Sequence, residues 1–190
     1  MKTATLLVAA VVTLSSTAWS QAPIRANLLG TPRVGRPAPP ITLPYATAAE
    51  RRAPSAEFRS ASELGRVVVI AFGGRPEPAL RIDWAALARR TDSLGSPRIV
   101  LVGVARAGMA EAQLLSGSLG GTLKVLADSG GRVHRQYGVS ERDRGWTIVV
   151  VADDGTLVGL ERVATLADGK WWPALAGAVA RGITAPVRDE

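Results

Sequence analysis

The sequence predicts an α/β domain built on a mixed central sheet with helices on both faces. Residues 67–72 and 98–104 are apolar, β-branched runs without alternation, the pattern of strands buried on both faces. An amphipathic segment separates them, so the three form a βαβ unit with parallel strands and a right-handed crossover. Further on, Asp153-Asp154-Gly155 stands between two strand-like segments as a hairpin signal, which makes the second half of the sheet antiparallel.

The elements follow in order. Residues 37–44 hold four prolines and read as an extended segment outside any central strand. Residues 45–54 read as a loop or short hairpin, and Ser62 to Gly65 as one turn ending on glycine. After the first buried strand, Gly73-Gly74-Arg75-Pro76 breaks the chain. A helix over about 77–91 then places Leu80, Trp84, Leu87 and Ala88 on one face, with a proline in its first turn. The second strand is followed by a weaker helix near 108–117, with Ala112 and Leu115 inward. A short strand at 123–127 and a short helix at 130–137 come next. Strands at 147–151 and 156–162 flank the hairpin turn. The last helix, about 171–181, places Trp172, Leu175, Ala176 and Val179 on one face.

The chain's start predicts export. Lys2 precedes an apolar run over residues 4–14, and Ala18 and Ser20 supply small residues at −3 and −1 of a cut after Ser20. Such a run is too short to cross a bilayer, which takes about 20 residues. Residues 1–20 are therefore read as a signal peptide, 21–36 as a flexible leader, and 37–190 as one domain in the periplasm or outside the cell. With no cysteine after the cut, lipoprotein anchoring is not expected, and no transmembrane anchor is expected once the signal is removed.

Composition limits the chemistry. There is no cysteine among the 190 residues, so neither a thiol nor a disulfide can act. The formal net charge is +7, with 23 Lys plus Arg against 16 Asp plus Glu. The arginines are scattered and form no stripe with interleaved aromatics, so no specific nucleic-acid surface is expected. Gly73-Gly74 and Gly120-Gly121 lack the spacing and the lysine of a phosphate loop. Ser116, Ser118 and Ser129 lack a nucleophile-elbow context. The single histidine, His134, has no partners at ligand spacing in the sequence. It is read as a surface or helix-packing residue, and no metal or cofactor is expected.

Five segments taken in order resemble the thioredoxin-like superfamily, in particular its redoxin branch. That branch includes the alkyl hydroperoxide reductase/thiol-specific antioxidant proteins and the exported TlpA/ResA-type thioredoxins. Val34-Gly35-Arg36-Pro37-Ala38-Pro39 is similar to its opening segment. Ser62-Glu63-Leu64-Gly65-Arg66 and the strand after it resemble its first core strand. Leu126 to Val133 and Tyr137-Gly138-Val139 resemble a third and fourth signature, and residues 147–158 its closing hairpin. The resemblance implies a thioredoxin-like fold and an ancestral thiol or peroxide oxidoreductase activity.

The same resemblance locates what is missing. Without gaps, the two redox cysteines fall on Glu77 and Leu80; on the peroxiredoxin pattern, the peroxidatic one falls near Arg81. Thiol chemistry needs a sulfur nucleophile, and none of these residues supplies one. The companion cis-proline falls on Trp146, and a cis bond before a non-proline costs about 3 kcal/mol. Gly145–Trp146 is therefore predicted to be trans.

Glu77 reads either as an acid, base or ligand, or as a carboxylate favoured by the start of its helix, and the second is preferred. Arg75 and Arg81 read as anion contacts or as ordinary exposed arginines. Trp146 reads as a stacking surface or as a packed aromatic. Arg75, Glu77, Arg81, Trp146 and Thr147 make up the expected rim of a cleft that holds an extended peptide or an envelope protein by β-augmentation. The competing expectation is an oxidoreductase system in which a partner supplies the cysteine.

Overall fold

The computed structural model describes residues 32–51, 56–94 and 96–183. Its five-stranded sheet has the order β5-β4-β3-β6-β7. β3 is Val67–Gly73, β4 Ile99–Ala105, β5 Lys124–Ala127, β6 Trp146–Val151 and β7 Leu157–Val163. β3 pairs in parallel with β4, and β4 with β5. β6 runs antiparallel to both β3 and β7. The parallel half and the antiparallel hairpin thus meet at β3.

Strand periodicity divides the core. Val67, Val69 and Ala71 face one side, where α2 (Arg81–Leu94), α3 (Met109–Ser118) and α5 (Trp171–Gly182) supply Trp84, Leu87, Leu115 and Leu175. Val68, Ile70 and Phe72 face the other side. There α4 (Arg132–Gln136) and a two-stranded sheet of β1 (Thr42–Pro44) and β2 (Glu57–Arg59) supply Val133, Leu43 and Phe58. Helices therefore cover both faces of the mixed sheet.

The segment before the sheet is stitched across the second face. Gly35 N–H donates to the Leu157 carbonyl at 2.8 Å, and Leu157 N–H returns a bond to Arg36 at 2.9 Å. Two residues read as leader are thus hydrogen bonded to β7; the proposed signal peptide lies outside the described residues. The Tyr137 hydroxyl donates to the Pro39 carbonyl at 2.6 Å, and burial pushes that phenol's pKa up. Of residues 45–54, read as a loop or short hairpin, Ala48–Arg51 form a one-turn helix, α1, and the segment lies between the antiparallel strands β1 and β2.

The face of α5 differs from expectation by rotation. Trp171, Leu175, Ala178 and Val179 are buried, whereas Ala176 is exposed and Trp172 only half-buried. The Trp171 indole N–H donates to the Leu166 carbonyl at 3.1 Å, which turns that ring inward. Its neighbour Trp172 instead lies under Arg90, whose guanidinium carbon is 4.9 Å from the ring centre.

Two indoles fill the region beside the carboxyl ends of β3 and β4. Trp84 and Trp146 meet edge to face with centroids 4.7 Å apart. A Cβ on Gly73 would stand 2.7 Å from Trp84 and 2.8 Å from Trp146, and one on Gly103 would stand 2.6 Å from Trp84. Glycine at both positions leaves the room these rings occupy.

Candidate functional site

β3 and β4 end side by side at Gly73 and Ala105. Ligands of open α/β sheets collect outside the carboxyl ends of such strands. A cleft of about 830 Å³ lies there, between the turn after β3, the loop after β4 and the segment preceding β6. Arg75, Glu77 and Leu80 line it on one side, Arg106 and Gly131 on another, and Glu141 on the third.

Glu77 and Leu80, the residues that the resemblance sets against the two cysteines, are part of this wall. Pro78–Leu80 form a single 3₁₀ turn ahead of α2, in which Leu80 N–H donates to the Glu77 carbonyl at 3.0 Å. Arg81 is exposed and begins α2 outside the residues that line the cleft. Trp146 and Thr147, expected at the rim, lie beneath it at 1% and 3% exposure. The Trp146 ring is drawn inward by Trp84 and by a carboxylate, so it offers no stacking surface. The Gly145–Trp146 peptide is trans, as predicted.

That carboxylate is Asp83, which sequence reasoning missed. It is 5% exposed and joins three elements. Its Oδ2 accepts from the Trp146 indole N–H at 3.0 Å. Its Oδ1 accepts from Leu166 N–H at 2.8 Å, Ala167 N–H at 2.9 Å and the Thr165 hydroxyl. α2, β6 and the turn before α5 are thereby fixed to one another. The sequence signal was an aspartate directly before Trp84 on the buried side of an otherwise apolar stripe.

His134, read as a surface or helix-packing residue, takes the second role on α4. It has the buried partner that the sequence reading did not find. Its ring is fully buried, with Nδ1 2.8 Å from Asp128 Oδ2 and Nε2 2.8 Å from the Gly73 carbonyl. His134 N–H also donates to Asp128 Oδ2 at 2.9 Å. Burial acts to raise the Asp128 pKa. Hydrogen bonds from the His134 ring and backbone, the charge of that ring and the Arg132 N–H outweigh it, leaving the carboxyl below its ordinary value. Asp128 Oδ2 and the Gly73 carbonyl oxygen thus clamp the imidazole from both of its nitrogens. This pair ties α4 to the end of β3, and His134 forms part of the cleft wall.

No family model matches the sequence, and no curated protein matches it. Solved structures do. A peroxidoxin, BcpB, from Mycobacterium tuberculosis superposes with a TM-score of 0.64 at 18% identity, covering 81% of this chain and 99% of its own. A Chlorobium tepidum protein assigned as the thiol:disulfide interchange protein DsbE gives 0.63 at 17% identity, covering 81% and 100%. A secreted M. tuberculosis disulfide oxidoreductase homologous to E. coli DsbE gives 0.53 at 22% identity, covering 74% and 95%.

The fold is thioredoxin-like.

The strand placed after Arg66 by the resemblance is β3, and residues 147–158 run from β6 through the turn into β7. This thioredoxin-like chain has no cysteine anywhere in its sequence. Among the described residues no cluster of three His, Asp or Glu side chains could hold a metal ion. No described helix is long and apolar enough to cross a membrane. What the cleft offers is charge and hydrogen bonding, from arginines on three sides and carboxylates between them.

Proposed function

We propose that this chain is an exported thioredoxin-like module that holds a peptide or protein segment in its cleft and carries out no thiol chemistry. The supporting observation is that the cleft beside β3 and β4 is open at about 830 Å³ while Glu77 and Leu80 stand on its wall. Pockets of roughly 300–1,000 Å³ are the usual size for ligand sites, and this one needs no sulfur to bind. The partner would come from the cell envelope, in keeping with the signal-like start of the sequence. The binding wall is Arg75, Glu77 and Leu80, without the enclosed Trp146 and Thr147.

Capture from envelope extracts with an immobilised chain, compared with an Arg75→Ala/Glu77→Ala variant, tests this reading. Wild type is expected to retain a defined partner that the variant loses. Insulin reduction and peroxide consumption by the purified protein are expected to stay at background. Turnover above a heat-inactivated control would overturn the non-catalytic assignment. Unchanged capture by the variant would remove the cleft from the account.

A further inference from the structure

Arg106 is the most confined cation of the cleft. It follows the last residue of β4 and keeps only 10% of its side chain exposed. Nη2 donates to the Val139 carbonyl at 2.9 Å, so the planar guanidinium has one fixed orientation. Nη1 is buried and makes no hydrogen bond. Its ion-pair partner, Glu141 Oε1, stands 3.3 Å away on a side chain that is 73% exposed.

A second guanidinium approaches the same point. Arg106 Nη1 and Arg135 Nη1 each lie 3.4 Å from where a Cβ on Gly131 would stand. Arg135 Nη1 donates to the Gly130 carbonyl at 2.7 Å, which fixes it there. Arg75, Arg142 and Arg144 line the same cleft. A buried donor without a hydrogen bond, next to a like charge, calls for an anionic acceptor. Glu141 answers this only loosely, because a solvent-exposed carboxylate loses little on leaving.

We propose that Arg106 is the anchor of a carboxylate-binding site, and that Glu141 occupies that site in the absence of ligand. This rests on the reading of the cleft as a binding site and adds the ligand's chemistry to it: an acidic group that replaces Glu141 against Nη1. The carboxylate arrives either on an acidic peptide or on a small free acid. Glu141 competes with both, so the free site is partly self-occupied and apparent affinity is lowered by that fraction.

Titration calorimetry and amide-shift mapping at about 150 mM salt test the proposal, since bulk attraction is screened there beyond about 8 Å. The probes are a short blocked peptide of Ala, Asp and Glu, its isostere carrying Asn and Gln, and glutarate. Wild type is expected to prefer the acidic peptide about tenfold, the equivalent of one charge-assisted hydrogen bond. Glu141→Gln is expected to tighten acidic binding several-fold and leave stability unchanged, because its side chain is exposed. Arg106→Gln is expected to abolish the preference. Arg106→Lys, which keeps the charge but not the planar fork, is expected to weaken it.

Glutarate binding as tightly as the peptide would support a carboxylate site and identify a free acid as its source; much weaker glutarate binding would support the same site and identify a peptide. Equal binding of both peptides, unmoved by Glu141→Gln, would overturn the carboxylate site and leave the cleft reading standing. Absence of binding by all three probes, with Glu141→Gln equally silent, would overturn this proposal, and peptide capture by the cleft would fall only if envelope capture also failed.

Discussion

Replacing Asp83 gives the strongest test of how this site is held together. In Asp83→Ala, Trp146 Nε1 and Leu166 N, both buried, lose their acceptor, whereas the N–H of exposed Ala167 keeps the Thr165 hydroxyl at 3.1 Å. Each buried donor left unsatisfied costs about 1–3 kcal/mol. Two such donors give a loss of about 4 kcal/mol, or roughly 8–16 °C at about 2–4 °C per kcal/mol for a domain of this size. Asp83→Asn differs in a defined way. Its remaining carbonyl oxygen can still serve the 165–167 turn, but an amide NH₂ then faces the Trp146 N–H. That variant should lose only about 1–3 kcal/mol. Adding Trp146→Phe removes the opposed donor, so the double variant should show favourable coupling of about 1–2 kcal/mol. Urea unfolding followed by far-UV circular dichroism measures all three. A loss below about 1 kcal/mol for Asp83→Ala, or equal losses for Ala and Asn, would refute the network as drawn.

Other expectations concern the same end of the sheet. Gly73→Ala places a methyl against both indoles and should cost about 1–3 kcal/mol by overpacking, with a changed near-UV spectrum; an unaltered melting curve would show that the rings yield. Glu77→Cys/Leu80→Cys puts two thiols on one 3₁₀ turn, within reach of the 4.4–6.8 Å Cα separation that disulfides usually span. Mild oxidation should close that pair, as read by loss of alkylation; two persistently free thiols would contradict the turn geometry. Asp128 has a folded-state pKa below its unfolded value. Its contribution to stability is therefore present above the ordinary carboxylate pKa and lost as pH falls through the folded value. Asp128→Asn should flatten that part of an acid-unfolding curve, and an unchanged slope between the two proteins would count against the buried pair.

The strands were legible because burial on both faces leaves an uninterrupted apolar run, as in β3 and β6. The central elements lie within a few residues of their predicted bounds for the same reason. α5 was harder: with adjacent tryptophans at 171 and 172, a one-residue choice rotates the helix by about 100°. That choice is decided by the Leu166 carbonyl, which no periodicity encodes. Glu77 and Leu80 were singled out only through the resemblance, because they have no pattern of their own. The roles of Asp83, His134 and Arg106 were missed because each is defined by a partner distant in sequence. His134 meets Gly73 across 61 positions, and Asp83 meets Trp146 across 63. Arg106 is one arginine among 20 until the fold buries it.

The two sides of the cleft differ in how they can respond to a guest. On one side the start of α2 is bolted through Asp83 to β6 and to the turn before α5, with two indoles wedged behind it. On the other, residues 140–144 are exposed and are secured largely by bonds among themselves, such as Ser140 N–H to Asp143 Oδ2 at 2.8 Å. If the cleft binds as proposed, it does so as a vice with one fixed jaw and one adjustable jaw. Sequence changes within 140–144 should consequently alter which guests fit while leaving the melting temperature almost untouched.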